Sequence, residues 1–170
     1  MSLTLRWKSP VPLFSILIFA TFALAQDSGT VRVYRDQFVQ LHTRTRALLS
    51  RVEQRGREAA AADSPETLKV QLEMQEEIRA LTKLVHALSE DAAKSYVEGL
   101  ERNVERMRAG QNLSNPNQGL DKGLLFVQSG CDEMGFVLST LSNYLDSGDR
   151  AFLGFAKRGD DLTASIEAVL

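Results

Sequence analysis

Apolar side chains recur at every third or fourth position along most of this sequence. The pattern is clearest between residues 121 and 146, where steps of three and four alternate without interruption. The positions that follow it are Leu124, Val127, Cys131, Met134, Leu138, Leu141 and Leu145. A strand returns to the same face every second residue, whereas a helix does so after three or four, so the spacing predicts a helix with one apolar face. Such a face must be buried against other elements, which favours a fold of packed helices.

The same spacing predicts three further helices, separated by turn and capping residues. Pro65 suits the first position of a helix, the sequence Asn115-Pro116 lies in a loop that ends it, and Asp149 caps the last helix. The predicted ranges are about 31–62, 65–109, 121–146 and 150–170. They predict an all-α fold, an antiparallel bundle of about four helices with heptad-like apolar stripes. One alternative stays open, since Ser89 could cap a fresh helix and break the long second one.

The first 25 residues have the composition of a cleavable signal peptide. Arg6 and Lys8 precede an uncharged apolar run from Val11 to Ala25, which ends in the small-x-small sequence Ala23-Leu24-Ala25. The run is shorter than the roughly 20 residues that a membrane span needs. We therefore expect cleavage after Ala25, with residues 26–170 forming a single domain in the periplasm or outside the cell.

Charge and hydropathy exclude two kinds of partner for the remaining chain. Without the first 25 residues, the chain has 18 basic and 22 acidic side chains, which gives a net charge of −4. Nucleic-acid binding is associated with a basic excess, so we expect no nucleic-acid partner. After residue 25, no stretch of the sequence is long and apolar enough to predict a membrane span.

The single cysteine, Cys131, is unexpected in an exported chain, because exported proteins usually pair their cysteines. It falls in register with the apolar stripe of the third helix, where a free cysteine behaves as a small hydrophobic residue. Two functional interpretations stay open. One is an intermolecular disulfide that makes a covalent dimer. The other is a reactive thiol, which the negative neighbours Asp132 and Glu133 disfavour.

The sequence lacks the residue sets that catalysis or metal binding would require. Neither His42 nor His86 has a glutamate three positions before it, as a di-iron site in a helical bundle needs. Both histidines adjoin an apolar stripe, and we expect both to face solvent. The sequence contains no HExxH or CxxCH motif. Adjacent acids such as Glu76 and Glu77 point about 100° apart on a helix and do not form a dyad. We expect a protein without enzymatic activity, metal or cofactor.

Three arginines form a candidate binding surface on the first helix. Arg44, Arg51 and Arg55 share one helical face beside the apolar stripe. Such a surface suits an acidic partner or anionic headgroups. The alternative is that these cations pair with acidic side chains of neighbouring helices.

Long apolar stripes without a reactive centre predict a protein that acts by binding another protein or a second copy of itself. A second helix longer than its partners would leave part of its stripe uncovered, and oligomerisation would cover it. The alternative function is binding of a small apolar ligand between the third and fourth helices. The residues that would line such a pocket are Phe126, Phe136, Tyr144, Phe152 and Phe155.

Overall fold

The computed structural model describes residues 29–58 and 65–170, and within those ranges it contains four helices and no strand. They are α1 (Gly29–Glu58), α2 (Pro65–Arg108), α3 (Gly123–Ser147) and α4 (Ala151–Glu167). The predicted all-α class is confirmed. The predicted signal peptide lies outside the described residues, as does the stretch 59–62 that the sequence assigns to the first helix. Among the described helices, none is both long and apolar enough to cross a lipid bilayer.

The second helix is continuous. It begins at Pro65 and runs for 44 residues through Ser89, so that the proposed break does not occur. At 1.5 Å per residue its length is about 65 Å. The third helix ends where Gly148 adopts φ 71°, and the Gly148 N–H donates to the Tyr144 carbonyl at 2.8 Å. A left-handed glycine at this position is a common way to end a helix.

Consecutive helices run in opposite directions. Tyr34 in α1 contacts Ser95 in α2 with 2.7 Å between the hydroxyl oxygens, and Arg51 further along α1 pairs with Glu77. Residues further along α1 therefore contact residues earlier in α2, so the two helices are antiparallel. Contacts of α2 with α3, and of α3 with α4, follow the same order. The arrangement is an up-down-up-down bundle with short connections and one longer loop, residues 109–122.

The core forms where α3 meets the other three helices. Its largest fully enclosed apolar side chains are Phe38, Leu48, Val52, Leu81, Val127, Met134, Val137, Leu138 and Leu141. α1 approaches α3 closely because Gly130 has no side chain, and the Phe38 ring occupies the place that a Cβ would take. α3 is the most apolar helix, and its contact with all three partners buries a wide face.

The loop after α2 covers part of the stripe for which the sequence predicts a second copy. Leu120 packs on Gly99, where an added Cβ would lie 2.7 Å from Leu120 Cδ2. The Asn103 amide is buried and donates to the carbonyls of Pro116 at 2.9 Å and Gln118 at 2.8 Å. The chain itself therefore folds back over the end of α2 at Gly99 and Asn103, whereas Met107 in the last turn stays exposed.

Candidate functional site

The most polar buried cluster surrounds His42, which the sequence predicts to be at the surface. That prediction is wrong, because the residue is only 2% exposed and its ring lies between two acids of α4. Nε2 is 3.0 Å from Asp160 Oδ1, and Nδ1 contacts the carboxylate of Glu167. Arg46, one turn along α1, pairs with Asp160 at 3.0 Å. His86, by contrast, is exposed as predicted and lies beside Glu90 at 3.2 Å.

The cluster has the chemistry of a cross-link between helices. A carboxylate can only accept hydrogen bonds, so a ring nitrogen of His42 that carries a proton donates to the acid beside it. Asp160 and Glu167 lie on different ring nitrogens and therefore do not converge on one metal ion. Across the two described ranges, no group of three metal-binding side chains has the geometry to hold an ion. The cluster thus ties α4 to α1.

The three predicted surface arginines, Arg44, Arg51 and Arg55, have different environments. Arg51 pairs with Glu77 on α2, which agrees with the alternative that these cations pair with neighbouring helices. Arg55 is half-buried, and Arg44 is exposed. Arg46, on the other side of α1, pairs with Asp160 of α4.

The five aromatic residues of the predicted ligand pocket do not converge. Tyr144 is buried against α1, where its hydroxyl lies beside Gly56. Phe136 and Phe155 are 49% and 46% exposed and point to the outside of the bundle. Phe126 and Phe152 are half-buried, and Phe152 packs against the main core. The set is divided between core and surface, so it does not enclose an apolar ligand.

Cys131 lies at the centre of the bundle, only 1% exposed. Burial, with a smaller contribution from the negative charge of Asp132, raises the pKa of this thiol from 9.0 to about 12. The neutral thiol therefore predominates at ordinary pH, and it serves as a small core side chain. A disulfide to a second chain would require this thiol to leave the core, so the folded bundle does not present it for the intermolecular bond considered above.

An apolar surface runs along the outside of α3 and α4, and we call it the α3–α4 face. Its large side chains are Leu125 and Phe136 on α3, Phe155 and Leu162 on α4, and Val169 just after the end of α4, all roughly half exposed. A seven-residue step places Phe155 and Leu162 on one side of α4. Phe136 also contacts α4, because its ring lies 3.2 Å from the Cβ position of the buried Gly159. The apolar spacing along α4 predicts that Phe155 and Leu162 are buried. Both are exposed, because α4 packs against the other helices through Ala156, Gly159 and Thr163.

The described residues also form open grooves, two of which are considered next. One, of about 410 Å³, lies between α2 and α3 beside Leu68 and Leu72, and its floor contains the amide of Gln75 bonded to Asp146. The other, of about 280 Å³, lies between the end of α1 and the start of α4. We call the second one the basic groove, and its lining is Glu53, Gly56, Arg57, Arg150, Leu153, Gly154 and Lys157.

Comparison of this chain with protein-family models, with curated proteins and with solved structures found no match.

Proposed function

We propose that this is an exported, non-enzymatic helical-bundle protein that associates with a second copy of itself through the α3–α4 face. The observation that supports this function is the α3–α4 face itself. Several large apolar side chains are exposed along one side of two packed helices, and concentrations of exposed apolar side chains commonly mark interfaces. Four of the five members belong to the adjacent helices α3 and α4. Leu162 is two positions from Asp160 of the His42 cluster and therefore lies on the other side of α4.

Charge on the α3–α4 face favours a second copy as the occupant. Asp132 on α3 and Arg158 on α4 are both exposed. Helical spacing places Asp132 on the same side of α3 as Leu125 and Phe136, and Arg158 lies one turn before Leu162 on α4. In a homodimer across this face the two-fold axis lies in the plane of the interface, so a contact between Asp132 of one copy and Arg158 of the other occurs twice. A self-complementary surface of this kind is what a two-fold homodimer requires.

Export is supported by the sequence alone. The charged start, the short apolar run and the Ala23-Leu24-Ala25 ending fit a secretory signal peptide. Absence of enzymatic activity is supported by the chemistry of the His42 cluster, where the acids are bonded to a buried ring and to Arg46.

The association is tested by measuring molar mass with light scattering over a range of protein concentrations. The Leu162→Glu substitution places a charge at the middle of the α3–α4 face, on a side chain that is 52% exposed in the folded chain. We expect the unaltered protein to be dimeric at micromolar concentration and this variant to dissociate at least about tenfold more readily, because the glutamate must be desolvated at the interface. Leu84→Glu on α2 is the matched control, since Leu84 is similarly exposed outside this face.

A charge exchange tests the two-fold arrangement. Arg158→Asp should weaken association, because it places two acids together twice across the interface. Adding Asp132→Arg in the same chain should restore it. A monomer at every concentration, or equal effects of Leu162→Glu and Leu84→Glu, would refute self-association through this face. Failure of the exchange alone would reject the two-fold pairing.

A further inference from the structure

The basic groove lies on the opposite side of α4 from the α3–α4 face. Its walls are the last turns of α1 and the first turns of α4. Two of the lining residues, Gly56 and Gly154, have no side chain, and an added Cβ at Gly154 would meet nothing within 4 Å. The groove is therefore open to solvent at Gly154, and Leu153 supplies the apolar part of its wall.

Three basic side chains and one acidic side chain line this small space. Lys157 Nζ lies 2.7 Å from Glu53 Oε1, and the two opposite charges form an ion pair. Arg57 and Arg150 then give the groove a net charge of about +2. The protein as a whole is acidic, with a formal charge of −2 for the full sequence, so a local concentration of positive charge is not a consequence of composition.

The position of Arg150 is not explained by the stability of α4. Arg57 lies in the last turn of α1, where a cation interacts favourably with the negative end of the helix dipole. Arg150 directly precedes α4, at the positive end of the dipole, where a cation is unfavourable. Asp149 offsets part of this charge by accepting the Ala151 N–H at 2.9 Å, but it is not among the lining residues. Two arginines and a helix start thus direct positive potential into the same space.

From this arrangement we infer that the basic groove binds a phosphate monoester group. Arginine side chains bind phosphate oxygens through paired N–H donors, and a monoester with a charge of about −1.5 to −2 matches the charge of the groove. The phosphate can belong to a soluble molecule or to a lipid headgroup, and the groove recognises the shared group. Arg57 and Arg150 are the expected donors, Lys157 adds charge, and Leu153 contacts the apolar part of the ligand.

The inference is tested by titrating the isotope-labelled protein with glycerol 3-phosphate and following its amide resonances. In parallel, sedimentation measures binding to phosphatidylcholine vesicles with and without phosphatidic acid. We expect saturable shifts centred on Gly56 and Gly154, or binding that depends on phosphatidic acid. The soluble and vesicle arms distinguish the two sources of phosphate. Arg57→Gln combined with Arg150→Gln should weaken binding at least about tenfold, because each arginine contributes charge-assisted hydrogen bonds.

Two further variants separate the groove from general positive charge. Arg44→Gln combined with Arg108→Gln removes the same charge from exposed positions elsewhere and should leave binding within about twofold. Gly154→Glu places a carboxylate in the open groove without a clash and should abolish binding while preserving the helix. Circular dichroism verifies that each variant folds. No binding by either probe, or equal loss in both arginine pairs, would overturn the inference, and neither outcome bears on self-association.

Discussion

At the scale of single residues, His42 shows how a neighbouring helix changes the environment of a side chain. The residue lies next to Leu41 and four positions after Phe38, and all three are buried. The apolar stripe of α1 is wider than the single row that the spacing indicates, because α1 contacts α2, α3 and α4. The acids that satisfy the ring are 118 and 125 positions away in the sequence. No local sequence pattern links Asp160 and Glu167 to His42. The four-residue spacing between Phe38 and His42, however, is a sequence signal that His42 can lie on the buried side of α1.

His42→Leu tests the contribution of this cluster to stability. The substitution adds apolar volume but leaves the largely buried Asp160 with one partner fewer and Glu167 without its ring contact. We expect the free energy of unfolding to fall by about 2 kcal/mol in urea titrations, because unsatisfied buried acceptors cost more than the added burial contributes. His86→Leu, at an exposed histidine with its own acidic neighbour, should change stability by less than about 0.5 kcal/mol. A similar small effect at His42 would show that the cluster does not stabilise the fold.

At the scale of elements, a buried amide of α2 contributes to holding the loop 109–122 in place. Asn103 is 6% exposed and donates from one nitrogen to two loop carbonyls. The sequence identifies this stretch as a loop from its glycine, asparagine and proline content, but content alone does not show where a loop packs. Its return over α2 depends on Leu120 fitting against Gly99, a contact between two separate elements.

Asn103→Ala should release the loop without unfolding the bundle. Loss of two neutral hydrogen bonds to buried carbonyls costs about 1–2 kcal/mol. We expect limited proteolysis within 109–122 to become faster by about tenfold, while the circular dichroism spectrum is unchanged. Asn143→Ala, at an exposed position of α3, is the control and should not alter the cleavage rate. Equal cleavage rates in Asn103→Ala and the unaltered protein would show that the amide does not hold the loop.

At the scale of the whole molecule, the thiol of Cys131 reports on the integrity of the bundle. It lies on α3, the helix that contacts the other three, and it is enclosed by the core. The unfolded chain ionises this thiol near pH 9.0, whereas the folded chain does so near pH 12. The folded state therefore holds the proton more tightly, and this group makes the free energy of unfolding decrease as the pH rises through that interval.

Thiol trapping measures this protection directly. We expect Cys131 to react with an alkylating reagent at pH 8 only through unfolding, so that the labelling rate follows the unfolded population as urea is added. A variant with Ser129→Cys in a Cys131→Ala background places the thiol on the exposed side of α3, two positions earlier, and should react at once in the native state. Fast labelling of native Cys131 would show that the core opens locally and would restore the disulfide interpretation.

The sequence by itself determined the helices, because a helix requires only that apolar side chains recur every three or four residues, and capping or turn residues mark the ends. That local information covered the all-α class, the start of α2 at Pro65 and the position of Cys131 on the buried side of α3. Only the tertiary structure decided which side of α4 is buried. The stripe Phe155, Leu162 and Val169 is outside because α4 turns Ala156, Gly159 and Thr163 toward its neighbours. Because α4 has apolar residues on two sides, its sequence is compatible with burial of either side. Its contacts with the other helices determine which side is buried.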